Sequence, residues 1–315
     1  MAPDSFKGTF TAREVAEAIS VGIRSAGAAA LPLPLADGGE GTLDVLAPAL
    51  GLRSLSISSC NPWGMACYGK FGFADDGTAL IEVAAVGALT AVHAGPRDPL
   101  AASTYGTGVL IAEAARRGAR RILVAAGGSA STDGGSGAID AIEERGGLRG
   151  IDVIVLADVR ASFLDAATTY APQKGANPDQ VRVLRTRLAG LASTLPRDPT
   201  DIESAGAAGG FAGGMWACYG ARITSGAEFV LDALGFANLL SGCDAVVTGE
   251  GRLDAQTEEG KVVSAVLHRS ASRPVHAVVG SLDPTTDVSP FTTVHVASIE
   301  ADMHAAGVDI VTAKP

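Results

Sequence analysis

The sequence predicts an α/β protein, and three observations carry that expectation. Apolar runs of strand length alternate with helix-length segments along most of the chain, as parallel sheets require. Two of those runs end in glycine turns that display a carboxylate: residues 31–36 lead into Asp-Gly-Gly-Glu-Gly-Thr at Asp37–Thr42, and residues 244–247 lead into Thr-Gly-Glu-Gly-Arg-Leu-Asp at Thr248–Asp254. Aromatics make up only 5% of the chain against 40 glycines, which favours helices packed closely on sheets over a β-sandwich.

Residues 1–6 read as the last part of a strand. Thr11, with Glu14 three residues on, has the spacing of a capping box, so a helix is expected over residues 12–25. Residues 31–36 give the next strand, despite Pro32 and Pro34, and residues 42–50 the next helix, ended by Gly51. The texture then changes. Residues 55–59, 67–73 and 79–83 are short segments parted by Asn-Pro, Trp-Gly and Asp-Asp-Gly turns, the pattern of an antiparallel meander with a hairpin signal at Asp76-Gly77. Alternation returns with helices expected over 107–117, 135–145, 179–195, 227–234 and 262–270, and strands over 122–126, 151–157, 244–247 and 275–279. The expected layout is two α/β domains with mostly parallel sheets. A discontinuous Rossmann- or flavodoxin-like domain would comprise residues 1–54 plus 245–315, and an inserted domain, residues 55–244, would carry the meander.

Composition bounds the function. With 47% hydrophobic and 18% charged residues, 315 residues suffice to bury a substantial core. The net charge of −10, without a basic run, argues against nucleic-acid or anionic-membrane partners. An anionic ligand would therefore be held by local cations, backbone N–H groups or a metal ion. Cys60, Cys67, Cys218 and Cys243 show no zinc or C-x-x-C spacing and are expected to be buried free thiols in a reducing compartment. No secretory leader is legible at the start of the sequence, and the uncharged stretch 204–221 holds six glycines, so it reads as a glycine-rich turn leading into a buried helix rather than a membrane span. A cytoplasmic location is expected.

Several familiar nucleotide and hydrolase signatures are missing: no G-x-x-x-x-G-K-[ST], no strand followed by G-x-G-x-x-G, and no G-x-S-x-G. The five histidines have neither triad nor metal spacing, which leaves chemistry to carboxylates and lysines. Asp4, Ser5 and Lys7 follow the first strand; Lys7 offers a point charge to phosphate or carboxylate, and Asp4 can orient it or a metal, or the group is an Asx-type turn beside a solvated lysine. Asp37 and Glu40 offer oxygen ligands to a cation, or else shape the turn and cap the next helix. Residues 127–137 hold five glycines with Ser129, Ser131, Thr132, Asp133 and Ser136, an N–H- and hydroxyl-rich loop opening a helix and suited to phosphate. Asp158 at a strand end is a base, a magnesium ligand or a helix cap. Lys174 and Lys261 each pair a cation with an adjacent glycine.

In order, the stretches APDSFKG (2–8), LADGGEGT (35–42), IEVA (81–84), RDPLAASTYGTG (97–108), GGSASTDGG (127–135), APQKGA (171–176), AGAAGG (205–210) and TGEGRLDAQTEEGK (248–261) resemble the glycerate kinase family that is distinct from P-loop and protein kinases. The resemblance implies a two-domain α/β enzyme with its active site in the cleft between domains. It further implies ATP with Mg²⁺ and phosphorylation of D-glycerate, with 2-phosphoglycerate the preferred product. By the same resemblance Asp4, Ser5, Lys7, Asp37, Glu40, Ser129, Asp133, Lys174, Glu250, Asp254 and Lys261 match motif positions facing that cleft, but which residue is the base does not follow from the match. On physical grounds, since phosphoryl transfer to a hydroxyl needs charge stabilisation and alignment, the catalytic candidates are Lys7, Asp37 and Asp158: Lys7 would clamp the anion, and Asp37 or Asp158 would accept the hydroxyl proton. Asp4, Ser5, Glu40, Lys174 and Lys261 would contact substrate. Gly127, Gly128, Ser129, Thr132, Asp133 and Gly134 would hold the nucleotide, and Glu250 with Asp254 the metal. Glycerate and ATP are the expected partners, with a homodimer as the open possibility for assembly. Where the family reads Cys-Asp-Val-Thr-Asn-Pro-Leu, this chain has Ala-Asp-Val-Arg-Ala-Ser-Phe at 157–163, and it is shorter between 143 and 151 and after 281. A kinase for another small hydroxy acid, or a ligand-binding homologue with impaired catalysis, are the alternatives those departures raise.

Overall fold

The computed structural model describes residues 1–91, 95, 97–254, 262–270 and 273–312. In chain order it begins with β1 (Ala2–Pro3) and α1 (Ala12–Ser25). The middle of the chain forms α2 (Thr42–Leu50), β2 (Arg53–Cys60), β3 (Ala66–Phe73), β4 (Thr78–Glu82), α3 (Ala84–Gly87), α4 (Tyr105–Arg116) and β5 (Arg121–Ala125). It continues with α5 (Ser136–Glu143), β6 (Asp152–Leu156), α6 (Asp165–Tyr170), α7 (Pro178–Ala192), α8 (Phe211–Tyr219) and β7 (Arg222–Thr224). Last come α9 (Gly226–Ala233), α10 (Phe236–Leu240), β8 (Val246–Gly249), α11 (Val262–Arg269), β9 (Val275–Val279), β10 (Thr293–Val296) and α12 (Glu300–Thr312). The fold class is α/β, as the sequence predicts. The chain divides into one unit of Met1–Asp37 with Ala227–Pro315 and another of Gly38–Gly226.

The first unit is built on a wholly parallel sheet in the order β1-β8-β9-β10. Its opening strand is shorter than expected, because Asp4 makes the last bond to β8, from its N–H to the Gly249 carbonyl at 2.8 Å, and Phe6–Phe10 then closes a tight loop. The strand expected over residues 31–36 is not a regular ladder. Leu33 and Leu35 donate to the carbonyls of Met1 and Pro3 at 2.7 and 2.9 Å, so the segment lies along the free edge of β1. Pro3 has no N–H to return a bond to this segment, and Pro32 and Pro34, alternating with Leu33 and Leu35, leave the outer side of the segment without donors. Counting that segment as second in sequence, the strand order is 2-1-3-4-5, the flavodoxin-like order whose ligand site falls where the winding reverses, between β1 and β8.

The capping box at the start of α1 forms as read: the Thr11 hydroxyl accepts the Glu14 N–H at 3.2 Å, and the Glu14 carboxylate accepts the Thr11 N–H at 2.8 Å. Val15, Ile19 and Ile23, four residues apart, form the buried stripe of α1. α12 crosses α1 where both helices carry glycine; a Cβ on Gly22 would lie 2.0 Å from the His304 carbonyl oxygen.

The second unit has one six-stranded sheet, β2-β3-β4-β5-β6-β7. The β2–β4 meander is antiparallel, and β4 through β7 are parallel, so the meander extends the edge of the parallel sheet. Ile81, Ile122, Val124 and Val155 are fully buried, as expected of strands covered on both faces. The glycine-rich stretch does lead into a buried helix, α8. Among the described residues no helix is long and apolar enough to cross a membrane. The four cysteines are free but half-buried, not buried as expected.

Candidate active site

In the first unit, the carboxyl ends of β1, the 31–36 segment, β8 and β9 converge on one pocket of about 420 Å³. Asp4, Ser5 and Lys7 reach it from the turn after β1, Asp37 from the end of the edge segment, and Glu250, Arg252 and Asp254 from the turn after β8. Gly280, which follows β9, closes the floor: its N–H donates to the Glu250 carbonyl at 3.1 Å, and a Cβ there would lie 2.6 Å from the Gly251 carbonyl oxygen. Glycine at 251 and 280 is what lets these strand-end turns touch. Six of the residues singled out from the sequence, Asp4, Ser5, Lys7, Asp37, Glu250 and Asp254, are thus brought together.

Opposite charges are arranged unevenly in this pocket. Lys7 Nζ lies 3.0 Å from Asp37 Oδ2, and the Lys7 side chain remains 70% exposed while Asp37 is 18% exposed. The Asp37 carboxylate, with Asp4 and Glu250 behind it, holds the Lys7 ammonium above its usual range. Asp4 is buried, at 7% exposure, and its pKa is pushed up to about 7 by that burial and then by the neighbouring charges of Asp37 and Glu250. The Ser5 N–H, 2.6 Å from Asp4 Oδ1, and Lys7 act in the opposite sense. Arg252, which the sequence reading passed over within its own motif, bridges Asp254 at 3.4 Å and Asp283 at 3.3 Å. Its position between two singled-out carboxylates was the available signal. Among the described residues, no group of three or more His, Cys, Asp or Glu is arranged to hold a metal ion.

The second unit carries the other motif residues. The loop after β5 turns at Gly128, Gly134 and Gly135, all with positive φ, before opening α5. Gly127 packs against Gly39 so closely that a Cβ would lie 2.5 Å from its Cα. Asp133 is the keystone of the loop. Its Oδ2 accepts the Thr104 N–H at 2.7 Å, the Thr104 hydroxyl at 2.9 Å and the Gly137 N–H at 3.3 Å, while Oδ1 accepts the Gly135 N–H at 3.1 Å. Ser129 and Ser131 are buried and share a 3.0 Å hydroxyl contact. Lys174 Nζ donates to the Ser131 carbonyl, and burial pulls its pKa down to about 8 against the opposing pull of Asp133.

Asp158, at the end of β6, accepts the Gly226 N–H at 2.8 Å and so caps the start of α9. Glu40 is exposed beside Gly41, which opens α2, and does not line the pocket that holds Asp37. Lys261 lies outside the described residues. Glu82, inside the IEVA stretch, was not singled out: its carboxylate accepts the Leu43 N–H at 2.8 Å, and burial raises its pKa. Phe163, the last residue of the divergent 157–163 segment, is fully buried and packs against Gly134 and Gly210.

A parallel sheet that presents lysine and carboxylates at its winding reversal, and a second sheet whose glycine loop opens a helix, define an α/β enzyme built to handle anions. Comparison with known proteins places that class. A model of the glycerate kinase family matches residues 1–147 and 143–305. The chain is 35% identical over 341 residues to the glycerate 2-kinase of Escherichia coli (strain K12), spanning 96% of this chain and 88% of that one. It is 36% identical over 322 residues to the glycerate kinase of Bacillus subtilis (strain 168), spanning 90% and 84%. A crystal structure of a protein assigned as glycerate kinase 2 from Salmonella typhimurium LT2 superposes with a TM-score of 0.83 at 31% identity, covering 98% of this chain and 96% of that one. The chain belongs to the glycerate kinase family and is a kinase, a phosphotransferase with an alcohol group as acceptor.

Proposed function

We propose that this kinase moves the γ-phosphoryl group of ATP to a hydroxyl of D-glycerate and yields 2-phosphoglycerate. The observation that carries the reading is the pocket at the winding reversal of the first unit, where Lys7 and Arg252 face a cluster of carboxylates in a space suited to a small, wholly polar anion. Relatives named for glycerate support it as the substrate, and the Escherichia coli relative's name favours the 2-hydroxyl. Lys7 clamps the anion, and Asp37 holds Lys7 in place across 3.0 Å. Asp4, with a proton affinity near neutrality, is the carboxylate best matched to take the hydroxyl proton. Asp158 is assigned a positioning role at α9 instead, because its carboxylate already holds the Gly226 N–H.

The glycine loop and Lys174 bind phosphate through backbone N–H groups and one ammonium. Magnesium fits the donor set of the first unit, since it takes hard oxygens and needs only one or two protein carboxylates beside phosphate oxygens. Glu250 and Asp254 would hold it, and it would offset the phosphate charge during transfer. The test is ADP release from MgATP with D-glycerate, with the product passed directly to enolase, which accepts 2- but not 3-phosphoglycerate. A folded sample that binds MgATP and forms no ADP with glycerate refutes the reading; a product that enolase ignores refutes the regiochemistry.

A further inference from the structure

The two sheets have four edges among the described residues, and three of them are short or covered. Along β1 lies the 31–36 segment, bonded through Leu33 and Leu35 to Met1 and Pro3. β10 has four residues and β7 three. The fourth edge is β2, whose eight residues extend for about 27 Å and exceed the usual strand length. Its ladder to β3 pairs all eight residues one to one, with no bulge to twist the edge away. No hydrogen bond among the described residues reaches its other side. Proteins guard bare edges with lysine, proline or bulges. β2 has neither lysine nor proline, and its one charge, Arg53, stands at the first residue, 2.5 Å from Asp75.

The side chains of β2 alternate cleanly. Leu55 and Ile57 pack against the core that holds Leu110 and Ile111 of α4, yet both stay only half-buried. Ser54, Ser56 and Ser58 are exposed on the opposite face. An antiparallel copy of the same strand suits this pattern. With Ser56 opposite itself, Leu55 meets Ile57 of the copy and Ile57 meets Leu55, while Ser54 meets Ser58. Moving the axis to Ile57 keeps only one apolar pair, and a one-residue slip sets serine against the aliphatic face. About Ser56 the two Arg53 side chains stand at opposite ends, about 20 Å apart along the strands, so like charges do not meet. A foreign extended peptide is chosen by pockets for its alternate side chains. β2 offers none, because its aliphatic side chains turn into its own core and its outer row is serine. We propose that β2 pairs with β2 of a second copy of this chain about a two-fold axis at Ser56, joining two six-stranded sheets into one of twelve. This contact is independent of which substrate and phosphoryl donor the enzyme takes.

The test is the molar mass of the full chain in solution, by light scattering and sedimentation across micromolar concentrations. The parent should run as a dimer of 31.6 kDa chains. Ser56→Lys sets a lysine opposite its own copy, at an exposed position outside the core, and should raise the dissociation constant roughly tenfold or more. Tyr68→Lys adds the same charge to the same face one strand further in, where Tyr68 lies opposite Ser58 and is 76% exposed, and should leave the dimer intact. Unchanged circular dichroism in both variants separates lost association from lost folding. Amides along residues 53–60 should exchange more slowly in the parent than in Ser56→Lys, including those that point away from β3. A monomeric parent overturns the proposal and leaves this edge to a different partner. A dimer that Ser56→Lys fails to weaken also overturns it. So does a dimer that Tyr68→Lys breaks, since the contact would then lie on the face of the ribbon and not at its edge. Fast exchange at the outward amides of the parent refutes the pairing without any substitution.

Discussion

Asp4→Asn should make the protein more stable at alkaline pH. Asp4 is 7% exposed, and its pKa rises from 3.8 to about 7 through burial and through the charges of Asp37 and Glu250. Between those values the folded protein holds a proton that the unfolded chain has released. Stability from this group is therefore fully present below about pH 4 and is lost as pH rises through about 7. A displacement of about three pH units, at ~1.4 kcal/mol each, sets a ceiling of ~4 kcal/mol on the loss. Asparagine keeps the oxygen that accepts the Ser5 N–H but cannot ionise. At pH 8 the variant should therefore exceed the parent by roughly 2–4 kcal/mol, or ~4–8 °C in melting temperature for a chain of this size. The gap should narrow as pH falls to 5, and magnesium at pH 8 should raise the parent's midpoint more than the variant's. If Asp4 is also the base, turnover in the variant falls by about 10²–10⁴-fold while its stability rises. Paired melting curves at pH 5 and 8 decide the matter: a variant less stable than the parent at pH 8, or a gap that does not change with pH, refutes the electrostatic account.

Lys7→Met should cost about 10²-fold or more in kcat/KM for glycerate, partly restored by Lys7→Arg, with stability within ~0.5 kcal/mol because the pair is solvated; near-normal turnover removes Lys7 from the site. Asp133→Ala leaves three N–H groups and the Thr104 hydroxyl without their acceptor, so unfolding in urea should show a loss of ~3 kcal/mol, and an unchanged midpoint contradicts its keystone role. Lys174 sheds its proton as pH rises through about 8, so ADP affinity should fall between pH 7 and 9 in the parent and stay flat in Lys174→Gln; a parallel decline in both proteins assigns the effect elsewhere.

What the sequence made legible follows one rule: features decided by neighbours within a few residues were readable, and those decided by distant partners were not. The Thr11–Glu14 capping box and the strand-end turns bearing Asp4, Asp37 and Glu250 belong to the first kind, and their convergence follows from the general behaviour of parallel sheets. Glu40 shows the limit. It stands three residues from Asp37, yet it belongs to the second unit, and the boundary at Gly38 is drawn by contacts with distant parts of the chain that no local pattern shows. Pro32 and Pro34 were visible as breaks, but the bond missing from the 31–36 pair is the one that Pro3, on the opposite strand, cannot donate, which only the pairing reveals. Asp133 and Asp158 read in sequence as polar groups after a strand and before a helix. That each also accepts an N–H from far along the chain, Thr104 for Asp133 and Gly226 for Asp158, 29 and 68 residues away, was not legible from local spacing. The 157–163 departure shows the same ambiguity from the other side. Phe163 reads as a change near substrate, but its ring fills space beside Gly134 and Gly210, so part of that divergence is packing under the glycine loop. The charged side chains of Lys7 and Arg252, by contrast, line the pocket at the strand ends.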